Sequence, residues 1–291
     1  AIALGRVASR RGHCVDILVN SRLAPHIPWR EELGPGSNIT MIEPSTSPGK
    51  TSSAVSEWLF AGSFDRLIVD TFPRGLAGEL PAHLPAVTTP KVLVHRDLNP
   101  AYVAQYSLAK AVSLFDLILV PGEEAPFAQE AQAHSTKPWF IRDSNELLPP
   151  SAARGVLGVE AGDNRPLLVV CSTGSEREER FFHGLATYLG ERLESWIIRN
   201  TSIVSSPGKI TAWPLIRLLP GVNQVVGGGG YNLVHEARAT NTPLFAFALP
   251  RRYDRQDVRL TRHELVRNMR EIVTRAGECS NSTRLPSYTH G

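Results

Sequence analysis

Residues 225–237, VVGGGGYNLVHEA, connect an apolar strand to a helix through four consecutive glycines. Glycine lets the backbone come close to a ligand, and the N-terminus of a helix offers free N–H groups and a positive dipole end. Together these properties predict a phosphate site at Gly228, Gly229 and Gly230. The alternative is a plain tight turn without a ligand, because short glycine-rich turns are a weak signal.

The helix that follows the glycines carries further candidate ligand-binding residues. Tyr231 and Asn232 open the helix, and Glu236 falls six residues after Gly230, near the end of the second turn. A carboxylate at that place could accept hydrogen bonds from a ribose diol. The alternative for Glu236 is a solvated side chain on the surface of the helix.

Residues 243–259, PLFAFALPRRYDRQDVR, contain a second apolar strand followed by a polar loop. Ligands of open α/β sheets bind beyond the carboxyl ends of the strands, which is where this loop begins. Arginine matches phosphate, and amide or carboxylate groups suit sugar hydroxyls, so Arg255, Gln256 and Asp257 are candidate binding residues. The alternative is a solvated basic loop.

Short apolar strands alternate with amphipathic helices along most of the chain. This order predicts an α/β protein with two Rossmann-like domains, whose mainly parallel sheets face each other across a cleft. Predicted strands cover residues 13–19, 38–42, 66–70, 91–95, 116–120, 139–141, 166–170, 196–198, 222–226 and 244–248. Predicted helices cover residues 1–11, 53–61, 101–114, 175–189 and 255–275, with a further helix from Tyr231.

A stretch rich in Pro, Ser, Asn and Gly, residues 142–165, predicts the boundary between the domains. We expect an N-terminal, acceptor-side domain over residues 1–148 and a C-terminal, donor-binding domain over residues 149–276. Residues 277–291 are expected to form a polar, disordered tail. The chain opens on a helix, so we also expect the first strand and glycine loop of a doubly wound sheet to precede Ala1.

Composition excludes several classes of protein. The apolar fraction of 42% and the net charge of +3 are typical of a globular protein and too mild for a nucleic-acid-binding one. No apolar stretch is long enough to cross a membrane, and no signal peptide is seen, so a cytoplasmic location is expected. The three cysteines are far apart, which predicts reduced thiols.

The glycine turn, the PLFAFALP strand and the YDRQDVR loop together resemble the donor-binding domain of the GT-B glycosyltransferases. The resemblance is strongest to the bacterial family that transfers N-acetylglucosamine from UDP to lipid-linked muramyl-pentapeptide. It implies that Gly230 is the turn glycine, that Glu236 binds the ribose of UDP, and that Gln256 contacts the donor sugar. Asp257 stands where that family often has a second glutamine.

The resemblance extends in outline over most of residues 1–275. The segment LLVVCSTGSERE, residues 167–178, resembles the first strand and turn of the same domain, where family members have GGS. Thr173 matches that serine, whereas Cys171 and Ser172 replace the two glycines. The resemblance implies transfer of a hexose from a nucleotide-sugar, UDP-linked in that family, to a hydroxyl acceptor, either lipid-linked or a polysaccharide.

Polar residues follow three apolar strands of the first half: Asp70, the run His95, Arg96 and Asp97, and the pair Glu123 and Glu124. An imidazole or carboxylate there could be the base that deprotonates the acceptor, and Asp70 and His95 are the candidate catalytic residues. The alternatives are a turn cap for Asp70 and a satisfied core histidine for His95.

No DxD motif and no metal-ligand spacing occurs, so we expect chemistry without a metal or other cofactor. Trp29, in PHIPWREEL, could touch a membrane at its cytoplasmic face or could fold onto the domain surface.

Three other functions stay open: a nucleotide-sugar epimerase, a non-catalytic nucleotide-sugar-binding protein, and an NAD-dependent oxidoreductase. The last lacks the GxGxxG fingerprint after a first strand.

Overall fold

The computed structural model describes the backbone of residues 1–282 and the side chains of residues 1–278. The chain forms two compact units, and each is treated by itself below. The first unit comprises Ala1–Ile141 together with Arg251–Arg255, and the second comprises Arg142–Pro250 together with the chain from Gln256 onward. The boundary therefore falls seven residues before the predicted one, and the short segment 251–255 belongs to the first unit.

The first unit contains six strands and six helices among its described residues. The strands are β1 (Asp16–Val19), β2 (Asn38–Met41), β3 (Leu67–Asp70), β4 (Lys91–Val94), β5 (Leu117–Pro121) and β6 (Ala133–Thr136). The helices are α1 (Ile2–Arg10), α2 (Trp29–Leu33), α3 (Pro48–Ala61), α4 (Leu80–His83), α5 (Pro100–Gln105) and α6 (Leu108–Val112).

The strands of the first unit form two parallel sheets rather than one. β1 pairs with β2, and β3, β4, β5 and β6 pair in that order. Both sheets share one hydrophobic core, since Ile42, which follows β2, packs in the same cluster as Leu67, Leu93 and Ile118. The buried apolar residues of the short strands therefore hold this unit together.

Two predictions for the first unit are wrong in detail. Residues 139–141 are not a strand, and the last strand is the polar β6, which hydrogen-bonds to β5 on one side only and needs little apolar surface. The single helix predicted over 101–114 is divided between α5 and α6, because Ser107 has a left-handed backbone with φ of 48°. That conformation cannot continue a right-handed helix.

The second unit contains one parallel sheet of five strands in the order β11, β10, β7, β8, β9. The strands are β7 (Leu167–Cys171), β8 (Ile197–Ser202), β9 (Ile210–Thr211), β10 (Gln224–Gly228) and β11 (Leu244–Phe247). The helices are α7 (Pro150–Val156), α8 (Glu176–Arg192), α9 (Tyr231–Ala239), α10 (Gln256–Arg259) and α11 (Met269–Ser282).

Alternate residues of the central strand β7 build two hydrophobic cores. Leu167 and Val169 pack with α7 and α9 on one face of the sheet. Leu168 and Val170 pack with α8 and α11 on the other face. A sheet covered on both faces needs apolar residues at every position, which explains the unbroken run PLLVV. The predicted α/β fold class with parallel sheets is confirmed.

The helix α8 begins with a capping box formed by Ser175 and Glu178. The Ser175 hydroxyl accepts a hydrogen bond from the Glu178 N–H at 3.4 Å, and the Glu178 carboxylate accepts one from the Ser175 N–H at 2.7 Å. Two N–H groups that the helix leaves without internal acceptors are thereby satisfied. The helix starts directly after β7 and the turn at Thr173.

The C-terminal helix differs from its prediction over 255–275. Only Gln256–Arg259 and Met269–Ser282 are helical. Between them, Leu265 forms a parallel bridge to Ala246 of β11, so this stretch lies along the edge of the sheet. Residues 277–282 belong to α11 instead of a tail, and the rest of the predicted tail lies outside the described residues.

No helix in the described part of the chain combines the length and the apolar character needed to cross a membrane. The Trp29 side chain is half-buried, and its indole N–H donates a hydrogen bond to the Ala24 carbonyl at 2.8 Å. This contact agrees with an aromatic ring folded onto the surface of its own unit. Membrane contact through Trp29 stays a prediction.

Candidate functional site

The glycine run closes the carboxyl end of β10 and starts α9. Gly228 is the last residue of β10, and Gly230 is the N-cap of α9 with extended backbone, φ of −69° and ψ of 153°. No side chain caps this helix among the described residues. The N–H groups of its first turn have no acceptor within the helix, so the turn offers donors and a positive dipole end to an anion.

The glycines of this turn are needed for different reasons. A Cβ on Gly227 would lie 2.5 Å from Leu233 Cδ2, and one on Gly229 would lie 2.9 Å from Leu260 Cδ1. Packing inside the second unit therefore requires both. A Cβ on Gly230 would meet nothing within 4 Å. The space beside Gly230, at the start of α9, is open for a ligand.

Two alanine variants should separate packing from binding. Gly227→Ala is expected to lower the free energy of unfolding by ~1–3 kcal/mol, because it overpacks a buried turn. Gly230→Ala should lower it by less than ~1 kcal/mol, the cost of a poorer N-cap, and should weaken binding of a nucleoside diphosphate such as UDP. Denaturant unfolding and calorimetric titration measure the two effects. Wild-type UDP affinity in Gly230→Ala would contradict the assignment of the open space.

Glu236 is the chemically most unusual residue near this turn. Burial raises the pKa of its carboxyl to about 8, and no hydrogen-bond or ion-pair partner lies against it among the described residues. Burial raises the pKa of the Cys171 thiol, and the charge of the nearby Glu236 carboxyl raises it further. Glu236 therefore lies close to Cys171, the last residue of β7. A half-buried carboxyl without a partner is costly, and a ligand that donates hydrogen bonds would relieve that cost.

The remaining predicted binding residues of α9 and β7 differ in accessibility. Thr173 and Asn232 are exposed, whereas Tyr231 is buried and packs against His235, with the ring centroids 4.4 Å apart and the ring planes inclined at 51°. The Thr173 hydroxyl accepts a hydrogen bond from the Ile203 N–H at 3.3 Å. Thr173 and Asn232 are therefore available to a ligand, while Tyr231 contributes to the packing of the helix.

Gln256 supports the glycine turn from within the second unit. Its side chain is buried, and its carbonyl oxygen accepts a hydrogen bond from the Leu249 N–H at 3.0 Å. A Cβ on Gly229 would lie 3.3 Å from Gln256 Cβ, so the two residues are in close contact. Asp257, the next residue, is exposed. The roles of Gln256 and Asp257 at the donor sugar stay predictions.

The sequence analysis missed Arg259. Its guanidinium donates a hydrogen bond to the Gly229 carbonyl at 2.9 Å, which fixes the turn from the α10 side. The only signal was its place one helical turn after Gln256, since residues three apart on a helix lie on neighbouring positions.

Arg255, predicted as a donor-binding residue, makes its clearest contacts within the first unit. Its Nε donates to Asp97 Oδ2 at 3.0 Å, and its Nη2 donates to Asp97 Oδ1. This two-pronged pairing occupies much of the guanidinium that a phosphate would use. Donor binding by Arg255 stays a prediction, and the observed partner is a carboxylate.

Asp70 ends β3. Its Oδ1 lies 3.4 Å from the Arg96 guanidinium and accepts a hydrogen bond from the Thr71 hydroxyl at 3.0 Å. The following residue, Thr71, has a left-handed backbone with φ of 69°. The Thr71 hydroxyl and the Arg96 guanidinium already contact this oxygen, and the catalytic role of Asp70 stays a prediction.

His95 is completely buried at the end of β4. Its side chain has 0% exposure, and neither ring nitrogen has a hydrogen-bond partner within the described structure. Burial lowers the pKa of the imidazole to about 4, and the ring lies 5.4 Å from that of Phe127. The expected satisfied core histidine is thus not what is found. Contact with an acceptor would require uncovering the ring, so a catalytic role stays a prediction.

Within residues 1–278, no group of three or more His, Cys, Asp and Glu side chains is arranged to hold a metal ion. Cys14 and Cys171 are free thiols, and the Cys279 side chain lies outside the described ones. The described sites therefore offer backbone amides, arginines and single carboxyls for chemistry.

Comparison with known proteins gives a fold and no family. No protein-family model matches the sequence, and no curated protein matches it at the level of sequence. The spinosyn rhamnosyltransferase SpnG in complex with thymidine diphosphate gives a TM-score of 0.44 at 14% identity, over 81% of this chain and 80% of SpnG. A TM-score below 0.5 does not establish a shared fold.

A second glycosyltransferase is structurally more similar. SsfS6 from Streptomyces sp. SF2575 gives a TM-score of 0.54 at 12% identity, over 86% of this chain and 77% of SsfS6. Its complex with thymidine diphosphate gives 0.52 at 13% identity, over 84% and 77%. Identity this low shows the fold alone. The chain thus has the GT-B fold, built from two Rossmann-like domains with parallel sheets.

Proposed function

We propose that this chain is a glycosyltransferase that moves a sugar from a nucleotide-sugar to a hydroxyl acceptor. One observation carries the proposal: the start of α9 at Gly230 and the Glu236 carboxyl lie on the same short helix, and neither has a side-chain partner among the described residues. The first offers N–H donors to a diphosphate, and the second offers an acceptor to a sugar diol. The shared fold with the glycosyltransferase SsfS6 supports this assignment.

The proposed donor is a UDP-sugar. A buried carboxyl that can accept hydrogen bonds fits a ribose with two adjacent hydroxyls, and the Glu236 carboxyl has no partner within the part of the chain that the structure describes. SsfS6 has been crystallised with thymidine diphosphate, whose sugar lacks the 2′-hydroxyl. The choice between UDP and thymidine diphosphate therefore depends on what Glu236 contacts.

The leaving diphosphate is the group whose charge the site would stabilise. Negative charge builds on it as the glycosidic bond breaks, and fixed amides at a helix start stabilise such charge without reorganising. No metal is needed for this step in the proposal. Asp70 and His95 remain the candidates for the base that takes the acceptor proton.

Nucleotide binding tests the proposal. UDP should raise the melting temperature of the protein in a concentration-dependent way, and 2′-deoxy-UDP and thymidine diphosphate should do so at least about tenfold less effectively. Glu236→Ala should remove most of the difference between UDP and its deoxy form. Equal binding of all three diphosphates by the wild type would refute the ribose contact, and binding of none would refute the proposed donor site.

Product analysis separates transfer from the other functions. An epimerase would change a UDP-sugar in the absence of an acceptor, and a non-catalytic binding protein would leave it unchanged under all conditions. The narrower proposal, a relative of the transferases of lipid-linked muramyl-pentapeptide, rests on the motifs of residues 225–259 alone. It would place the reaction in the cytoplasm, at the inner face of the membrane.

A further inference from the structure

The first unit contains a cavity of about 360 Å³ that none of the motifs above explains. Its lining includes Val103 and Ala104 of α5, and Ala125 and Pro126, which follow β5. These side chains are apolar and small. The cavity is within the size range of ligand sites in proteins and has room for a single ring with a short side chain.

The polar groups of the cavity are Asp97, Glu124 and Arg255. Asp97 and Arg255 form the two-pronged ion pair described above, so their charges largely cancel. The Glu123 carboxylate is also close to Asp97, since the Asp97 N–H donates a hydrogen bond to Glu123 Oε2 at 3.3 Å. Glu124, which is exposed, is the third charged residue of the lining, so the lining as a whole has a net negative charge.

We propose that this cavity binds a small hydroxyl-bearing molecule that has an apolar body and is neutral or positively charged. On the proposed function, this molecule is the sugar acceptor. Small apolar walls would pack against the body of the molecule, and the carboxylates would accept hydrogen bonds from its hydroxyl or ammonium group.

The same charges disfavour an anionic acceptor. A pyrophosphate-linked lipid would bring negative charge next to Glu124, and like charges repel. The arginine that could offset this repulsion is already paired with Asp97. The cavity thus favours a different acceptor class from the lipid-linked one that the sequence resemblance implies.

Three phenols that share one ring and differ in charge test this inference: tyramine, tyrosol and 4-hydroxyphenylacetate. Binding is measured on the nucleotide-free protein by ligand-observed NMR titration. We expect tyramine and tyrosol to bind, and 4-hydroxyphenylacetate to bind at least about tenfold more weakly. Glu124→Gln should reduce this preference for tyramine over the anion. Equal binding of the three phenols, or binding of none, would overturn the proposal.

A variant that fills the cavity tests its location, and the same substitution elsewhere is the matched control. Ala104 is an exposed residue on α5, so Ala104→Trp places an indole at the cavity wall without disturbing the core. Ala109 is equally exposed on α6 and does not line the cavity, so Ala109→Trp carries the same change elsewhere. Tyramine binding should be lost in the first variant and kept in the second. Unchanged binding in Ala104→Trp would refute this location.

UDP binding in the same variants distinguishes the two proposals. If Ala104→Trp keeps UDP affinity and loses tyramine, both the cavity and the separate donor site stand. If the wild type binds UDP but no phenol, the acceptor inference fails alone. If it binds the phenols but no UDP, the cavity stands as a ligand site and the proposed transferase function fails.

Discussion

Glu236→Gln is expected to raise the free energy of unfolding near pH 9 by on the order of 5 kcal/mol, and to leave it almost unchanged near pH 4. Burial raises the pKa of the Glu236 carboxyl from 4.5 to about 8 in the folded protein. Between these values the folded state keeps a proton that the unfolded state releases, so stability falls as the pH rises through this window. Glutamine removes the titration while keeping the shape of the side chain.

Denaturant unfolding of wild type and variant between about pH 4 and pH 9 measures this effect. Glu191→Gln is the control, since Glu191 is exposed on α8 and its replacement should change stability little at any pH. A Glu236 variant whose stability follows the wild-type curve would mean that the carboxyl ionises normally and is well solvated.

The same carboxyl should couple UDP binding to pH. Ribose hydroxyls that donate hydrogen bonds to Glu236 would favour its ionised form, so UDP affinity of the wild type should rise between about pH 7 and pH 9. At about pH 9 the Glu236→Gln protein should bind UDP at least about tenfold more weakly than the wild type, and its affinity should depend little on pH. Calorimetric titration over this range measures both. A flat affinity profile in the wild type would contradict the ribose contact.

His95→Leu should stabilise the first unit, most strongly in acid. Burial lowers the pKa of the His95 imidazole from 6.5 to about 4. Below about pH 6.5 the His95 imidazole binds a proton in the unfolded state and stays neutral in the folded state. The free energy of unfolding therefore falls as the pH is lowered to about 4. The full cost is about 3 kcal/mol. Leucine also removes two buried nitrogens that have no partner in the described structure.

The free energy of unfolding of His95→Leu, measured near pH 5 and near pH 8, separates the effect of the shifted imidazole pKa from that of the two buried nitrogens. The gain should be larger near pH 5, and a smaller gain should remain near pH 8. His134→Leu serves as the control, because His134 is exposed on the edge strand β6. Loss of stability in His95→Leu at both values would indicate that the imidazole makes an essential polar contact.

The sequence predicted best where local patterns and burial agree. The run PLLVV becomes the doubly covered strand β7, and the glycine turn joins β10 to α9 as expected. Both depend on short-range rules, namely apolar residues at every position of a buried parallel strand and the backbone freedom of glycine. The same rules failed for β6, whose polar residues pair at an edge where no apolar pattern is needed.

Long-range contacts explain the differences at the candidate sites. Arg255 and Gln256 are neighbours in sequence, yet Arg255 pairs with Asp97 in the first unit and Gln256 supports the glycine turn in the second. Nothing within a few residues of Arg255 indicates this partner, because an ion pair across 158 positions depends on how the chain is folded.

What the sequence alone determined is the α/β class, the parallel strands and the glycine turn with Glu236 on its helix, since these follow from local periodicity and spacing. The tertiary structure decided the chemical state of the residues. Glu236 and His95 have strongly shifted pKa values, and Arg255 has a carboxylate partner, only because distant segments pack around them. Burial and charge pairing are properties of the folded surroundings, and residue type does not reveal them.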